Sequence, residues 1–250
     1  MPANLQRLFP DPVRSVDPVD AYGRVLWEGT HRPAVRLNMI TSADGAASLK
    51  DRTAGLGGGA DHTVFATLRS LTDLILVGAG TVRAESYGPA RLDDATRTRR
   101  QGWGLAPVPT IAVLTRSCDL DWDAPFFTQA EQRPLILTTT SADAHQRERA
   151  AAVAEVIVAG DMTVDLHVAM KALSDRGVGN VLAEGGPRVS AQLAAADLLD
   201  ELCLTLSPLV VSGHAPRILN GPEIAPPLSL ELNHVLESES YLFLRYGRRR

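Results

Sequence analysis

Cysteine is scarce in this 250-residue chain. Cys118 and Cys203 are the two present. They lie far apart with no C-x-x-C spacing, which argues against a disulfide framework and a thiolate zinc site. Both are expected to be reduced. The six histidines, His31, His62, His145, His167, His214 and His234, show no ligand spacing. Neither H-E-x-x-H nor G-x-S-x-G occurs, which counts against a zinc peptidase and a serine hydrolase; no metal is expected. No apolar run reaches membrane-spanning length. The opening M-P-A-N-L-Q-R-L-F-P-D-P lacks an apolar signal core, so a cytoplasmic protein is expected, with no membrane partner. A positive excess is missing too. The net charge is −4 and the pI about 5.9, which argues against nucleic acid as the main partner. The clusters Arg97, Arg99, Arg100 and Arg248 to Arg250 read as solvated loop and terminus.

What is present is enough apolar material for a sizeable core, 45% of residues, arranged as alternating strand and helix signals. The chain is organised around D-L-I-L-V-G-A-G-T at 73–81. A continuous apolar run ending in a glycine-bearing turn suits a strand buried on both faces, at whose end a ligand can approach the backbone. Before it come a proline-rich lead-in with a short helix around Val16 to Tyr22, a strand at 34–40, and a glycine-rich loop over 46–60 that could be a lid or equally an ordinary surface excursion. A helix over 61–71 has Asp61 as its N-cap. After it come a polar loop at 82–106 that could hold one broken helix, and strands at 108–114 and 135–139. A helix at 142–154, a strand at 155–159 and a helix at 166–176 follow. Next are a strand at 178–183, a helix at 189–196, and strands at 201–206, 228–236 and 241–246. This order predicts an α/β fold with a mixed, mostly parallel central sheet, flanking helices and antiparallel strands at one edge. Residues 1–32 are expected to form an arm and 33–250 a single domain.

Four places could carry chemistry. Gly78-Ala79-Gly80-Thr81 and Glu184-Gly185-Gly186 both end strands, and the second opens a helix whose N–H groups and dipole favour an anion. Together they could hold the two ends of a pyrophosphate-bridged nucleotide; each could equally be a tight turn and no more. Asp44 follows a strand and precedes the glycine-rich loop. It could take a heterocycle's N–H pair, assist a proton transfer if its pKa is raised, or cap its own backbone. Thr115-Arg116-Ser117 places a guanidinium between two hydroxyls, which suits a ribose 2′-phosphate or a solvated strand end.

Taken together, R-P-A-V-R-L-N-M-I-T-S-A-D-G (32–45), L-R-S-L-T-D-L-I-L-V-G-A-G-T-V (68–82), N-V-L-A-E-G-G-P-R-V (180–189) and D-E-L-C-L-T-L-S-P-L-V-V-S-G (200–213) resemble the riboflavin-biosynthesis reductase family. The resemblance spans roughly 33–245. It implies the dihydrofolate reductase-like three-layer fold and an NADPH-dependent reduction. Hydride would pass to the sugar C1′ of a ribosylaminopyrimidine taken as its open imine. By this resemblance Thr81 and Glu85 contact NADPH, and Gly78, Gly80, Thr115 and Arg116 join them as cofactor candidates from the residues themselves. Val158 and Gly160 line its path. Glu184, Gly185, Gly186 and the neighbouring backbone hold its phosphates, and Arg188 is a further cofactor-binding candidate. Asn38, Ser42 and Asp44 face the substrate, with Asp44 in the catalytic role.

The chain departs from the family pattern in places. Asn38 stands where the riboflavin enzymes usually carry lysine. Ala84-Glu85-Ser86-Tyr87 replaces A-D-D-P, Ser42-Ala43-Asp44-Gly45 replaces S-L-D-G, and the arginine often seen near His62 is absent. The deaminase partner domain, with its H-x-E and P-C-x-x-C pattern, is missing and is expected to be a separate protein. Two further readings stay open: dihydrofolate reduction, with Asp44 facing a pterin, and a non-catalytic NADPH-binding regulatory protein. A homodimer is expected by the resemblance; Leu204, Leu206, Leu209 and Val211 of the late β segment could extend or cover a sheet edge, or equally serve the chain's own core.

Overall fold

All five residues of the central apolar run are buried as a strand, Leu74–Gly78, in a computed structural model that describes residues 4–24, 31–50 and 52–249. The chain's contacts group it into two units. The first takes Met1–Val25, Val35–Leu71 and Ala183–Arg250; the second takes Leu26–Ala34 and Thr72–Leu182. Elements are numbered along the whole chain.

The second unit is built of strand–helix repeats. Its strands are β3 (Leu74–Gly78), β4 (Thr110–Leu114), β5 (Leu135–Thr138), β6 (Glu155–Val158) and β7 (Asn180–Ala183), and its helices α3 (Ala79–Ala84), α4 (Asp94–Gly102), α5 (Pro125–Thr128), α6 (Ala144–Val153) and α7 (Leu166–Ser174). The strand order is β7-β3-β4-β5-β6, and β3 to β6 run parallel. A parallel sheet needs both faces covered. One face is covered by Trp122, Phe126 and Phe127 packed with Ile75, Val77, Val113 and Ile136. The polar stretch at 82–106 contains α4 because Asp93 accepts from Thr96 N and caps it. Arg100 is not solvated as expected. It is fully buried and donates to the carbonyls of Thr72 and Ala106.

The first unit joins both ends of the chain. It holds β1 (Gln6–Phe9), α1 (Pro18–Tyr22), β2 (Ala34–Ser42), α2 (Gly59–Ser70), α8 (Pro187–Ala195), β8 (Glu201–Ser207), β9 (Leu230–Ser238) and β10 (Tyr241–Arg248). The order is β1-β9-β10-β8-β2. All neighbours are antiparallel except β8 on β2, which is parallel with Asn38 opposite Cys203 and Ser42 opposite Ser207. Glu239 and Ser240 both take positive φ, which makes the two-residue β9–β10 turn the primed type that matches strand twist. The expected lead-in arm supplies a strand. Of the two roles open to Leu204 and Leu206, the place on an edge strand does not apply, because β8 is hydrogen-bonded on both sides.

One local expectation is corrected. Asp61 does not cap α2: the N-cap is Gly58, and Ala60 N donates instead to Glu239 Oε2 at 3.2 Å. Asp61 is folded inward, and burial raises its pKa. The loop over 46–60 has an anchor within this unit. Leu56 is fully buried, and its carbonyl accepts from Ser207 Oγ at 2.8 Å and Tyr241 OH at 3.2 Å.

Candidate functional site

Asn38, Ser42 and Asp44 come from one strand and the turn after it. Ser42 is fully buried at the end of β2. Its Oγ accepts from Ala46 N at 2.9 Å and donates to Asp44 Oδ1 at 2.5 Å. Asp44 Oδ1 also accepts from Val211 N at 3.1 Å, and Oδ2 accepts from Ser212 N at 2.6 Å. Ala43 N reaches Leu209 O at 2.8 Å. The carboxylate therefore clamps the loop after β8 onto the turn after β2. Ser212 sits there at φ 59 and Gly213 at φ 78.

These donors stabilise the charged form. The Ser42 hydroxyl first, then the Ser212 and Val211 N–H groups, lower the Asp44 pKa to about 2. The condition for proton transfer was a raised pKa, and it is not met: at neutral pH Asp44 carries no proton to give. The pterin reading loses ground with it, since both oxygens already have donors. Asn38 differs. Its Oδ1 is buried and has no hydrogen-bond partner among the described residues. Such an acceptor costs about 1–3 kcal/mol unless something fills it.

The Glu184-Gly185-Gly186 turn leads into α8. Gly186 is the N-cap with no side-chain cap bond, and Pro187 is at N1. The helix thus opens on bare backbone, and Pro187 brings no N–H of its own. Gly185 sits at φ 81, and a Cβ there would lie 3.0 Å from Met39 Sδ, so only glycine suits this position. The Gly185–Gly186 peptide is cis. Glu184 cannot hold a phosphate with its side chain. It is a carboxylate, and Arg69 of α2 grips it, Nε to Oε1 and Nη2 to Oε2, both at 2.7 Å. What remains for an anion is backbone. Arg188 is exposed on the first turn of α8.

In the second unit β3 runs directly into α3, with Gly78 as its N-cap at φ −79. Neither Gly78 nor Gly80 has positive φ. Gly80 is exposed, and a Cβ on it would meet nothing within 4 Å. Neither backbone conformation nor a packing neighbour therefore requires glycine at 80. Thr81 is half-buried beside it, and its carbonyl accepts from Glu85 N at 2.9 Å at the end of α3.

At the end of β4, Thr115 is 5% exposed and its Oγ accepts from Cys118 N at 3.1 Å. Ser117 Oγ accepts from Asp119 N. Both hydroxyls thus serve the turn, and Arg116 is the exposed cation of the trio. Val158 is 42% exposed at the end of β6. Gly160 is explained by the fold: at φ 111 a Cβ would lie 2.2 Å from the Thr163 carbonyl oxygen. Sequence reasoning missed Arg69 and the 209–213 backbone, because both act through partners more than a hundred residues away.

Comparison with known proteins places these features in a family. The model of the RibD C-terminal domain matches residues 33–243. A curated relative from Archaeoglobus fulgidus is named 2,5-diamino-6-ribosylamino-4(3H)-pyrimidinone 5′-phosphate reductase. It is 28% identical over 202 residues, covering 80% of this chain and 92% of its own. A solved pyrimidine reductase-like protein from Corynebacterium diphtheriae has a TM-score of 0.81 at 29% identity, covering 93% of this chain and 98% of that one. RibD of Acinetobacter baumannii shares the fold, with a TM-score of 0.70 at 20% identity over 88% of this chain and 59% of its own. The mixed-sheet α/β fold expected from the sequence is the fold these structures share, and the chain belongs to the RibD C-terminal domain family.

Proposed function

We propose that this reductase uses NADPH to reduce a ribosylaminopyrimidine 5′-phosphate in riboflavin synthesis. The observation that carries the reading is the family match over 33–243, with a named pyrimidinone phosphate reductase matched over 92% of its length. No observation favours dihydrofolate or a regulatory role.

Each unit by itself offers backbone that a phosphate-bearing ligand can approach: the uncapped opening of α8 in the first, and the open space over Gly80 in the second. Arg116 is an exposed fork suited to a 2′-phosphate. NADPH, when bound, supplies the hydride.

The chain's own residues bind and orient. Asn38 offers its unsatisfied Oδ1 to a donor on the aminopyrimidine. Ser42 and Asp44 hold the loop that follows β8 in place. On the substrate, the N-glycosidic ring opens so that O4′ becomes a hydroxyl and C1′ is doubly bonded to nitrogen. Hydride adds to C1′ and a proton to nitrogen. Asp44, held in its charged form by the Ser42, Ser212 and Val211 donors, does not donate that proton. The family analogy also implies a homodimer, which light scattering on the purified protein tests.

The decisive assay follows NADPH oxidation with the ribosylaminopyrimidine phosphate and, separately, dihydrofolate. Turnover of the first alone is expected. A chain that binds no NADPH, or that turns over dihydrofolate alone, overturns the reading.

A further inference from the structure

Glu184 poses a difficulty for a turn that holds an anion. Its carboxylate is only 4% exposed and immediately precedes the Gly185 and Gly186 backbone. Like charges repel most strongly where water is excluded, so a bare Glu184 would oppose a phosphate on its own turn. Arg69 removes that charge. Its guanidinium makes two parallel bonds to the carboxylate, each 2.7 Å, the strong bidentate form. Its side chain is 19% exposed. The guanidinium also lies 4.2 Å from the centroid of the Phe65 ring on the same helix, so an aromatic face and a carboxylate hold it from two directions.

We propose that Arg69 is a positioning residue for the cofactor's anion turn: it neutralises and anchors Glu184, so that the backbone of Gly185, Gly186 and the first turn of α8 can receive a phosphate group. The inference rests on the reading that this turn takes a phosphate of NADPH. Arg69 itself touches neither cofactor nor substrate and works through Glu184. It predicts an electrostatic signature that a purely structural ion pair lacks. Removing Arg69 alone strands a negative charge beside the anion. Removing Glu184 alone leaves a surplus positive charge there.

The test uses the full chain and four forms: unaltered, Arg69→Gln, Glu184→Gln and the double variant. NADPH dissociation constants are measured by fluorescence titration at low and high salt, with KM and kcat beside them and circular dichroism to confirm folding. Arg69→Gln is expected to weaken NADPH binding about tenfold, through loss of one partner of a buried charge pair. Its KM for NADPH rises with kcat little changed, and the deficit shrinks with salt. Adding Glu184→Gln is expected to restore binding to within about threefold, and Glu184→Gln alone to bind NADPH more tightly than the unaltered chain at low salt.

If the unaltered chain binds no NADPH, the underlying reading falls and the inference falls with it. If it binds NADPH while a folded Arg69→Gln variant keeps the same affinity, Arg69 is a structural pair alone and the inference fails while the reading stands. Should Arg69→Gln not fold, Glu184→Gln decides: unchanged or weaker NADPH binding overturns the inference, and tighter, salt-sensitive binding supports it.

Discussion

Both carboxylate oxygens of Asp44 accept hydrogen bonds from its own turn and from the 209–213 loop, so its role is legible only once these are in place. From the sequence, Asp44 stood equally for a substrate ligand, an acid and a capping residue, and nothing near it named Val211 or Ser212 as donors. Its folded pKa lies below the usual carboxylate value. The stability it contributes is therefore complete above about pH 4 and is lost as pH falls towards 2. Between pH 5 and 9 the activity profile is expected to show no limb belonging to Asp44. Asp44→Asn removes the charge from the clamp. It should speed proteolytic cutting within 208–216 and lower turnover at every pH alike; a variant that instead shifts a pH limb would restore Asp44 as an acid. Arg116 gives the matching test of cofactor choice. Arg116→Gln should raise KM for NADPH roughly tenfold or more, on the scale of a lost charged hydrogen bond, and leave KM for NADH nearly unchanged. Equal changes for both would place the 2′-phosphate elsewhere.

Elements were more legible than their partners. The strands from β2 to β10 and the helices α2, α6, α7 and α8 follow from apolar period and glycine position, because those signals are local. The strand β1 and the cap of α2 were not legible, because each depends on a distant segment. The Gln6–Phe9 stretch is a strand because β9 pairs with it, and Ala60 N is satisfied by Glu239 in the β9–β10 turn. Glu239→Ala should accordingly cost about 1 kcal/mol, the usual value of a lost cap, read from urea unfolding. His234 on β9 gives a prediction of its own. It is 5% exposed, meets the edge of the Tyr22 ring, and lies near Arg245, Arg36 and Arg7. Burial first, then these cations, push its pKa down to about 4. The unfolded chain binds that proton near pH 6.5 and the folded chain does not. Stability is thus full above pH 6.5 and falls as pH drops towards 4, by roughly 1–3 kcal/mol. Urea midpoints for the unaltered chain and His234→Gln at pH 7 and pH 4.5 check this: the variant should lack that part of the fall.

At the scale of the molecule, a buried charge network ties the early and late parts of the sequence within the first unit. Arg36 of β2 and Arg245 of β10 both donate to Glu201 of β8, one to each carboxylate oxygen. Arg36 also donates to the Tyr22 carbonyl at 3.0 Å and Arg245 to the Ala21 carbonyl at 3.1 Å, at the end of α1. In the sequence Arg36 was one charge inside an apolar strand, and no periodicity could say that its counter-ion is 165 residues away. Glu201 is 6% exposed, so it screens two guanidinium groups where water cannot. Glu201→Gln leaves them facing one another without a counter-charge and should cost about 3–5 kcal/mol. Domains of this kind have only about 5–15 kcal/mol in hand, so that loss is a large fraction of the total. Its source can be separated from lost packing by a triple variant, Arg36→Met, Glu201→Leu and Arg245→Met. A buried triad replaced by apolar side chains of similar volume is often neutral or stabilising. The triple variant is therefore expected to unfold at a urea concentration near that of the unaltered chain, and the single variant far below it. A triple variant as unstable as the single one would mean that the network's hydrogen bonds to the Ala21 and Tyr22 carbonyls, rather than its charge balance, hold α1 to the sheet.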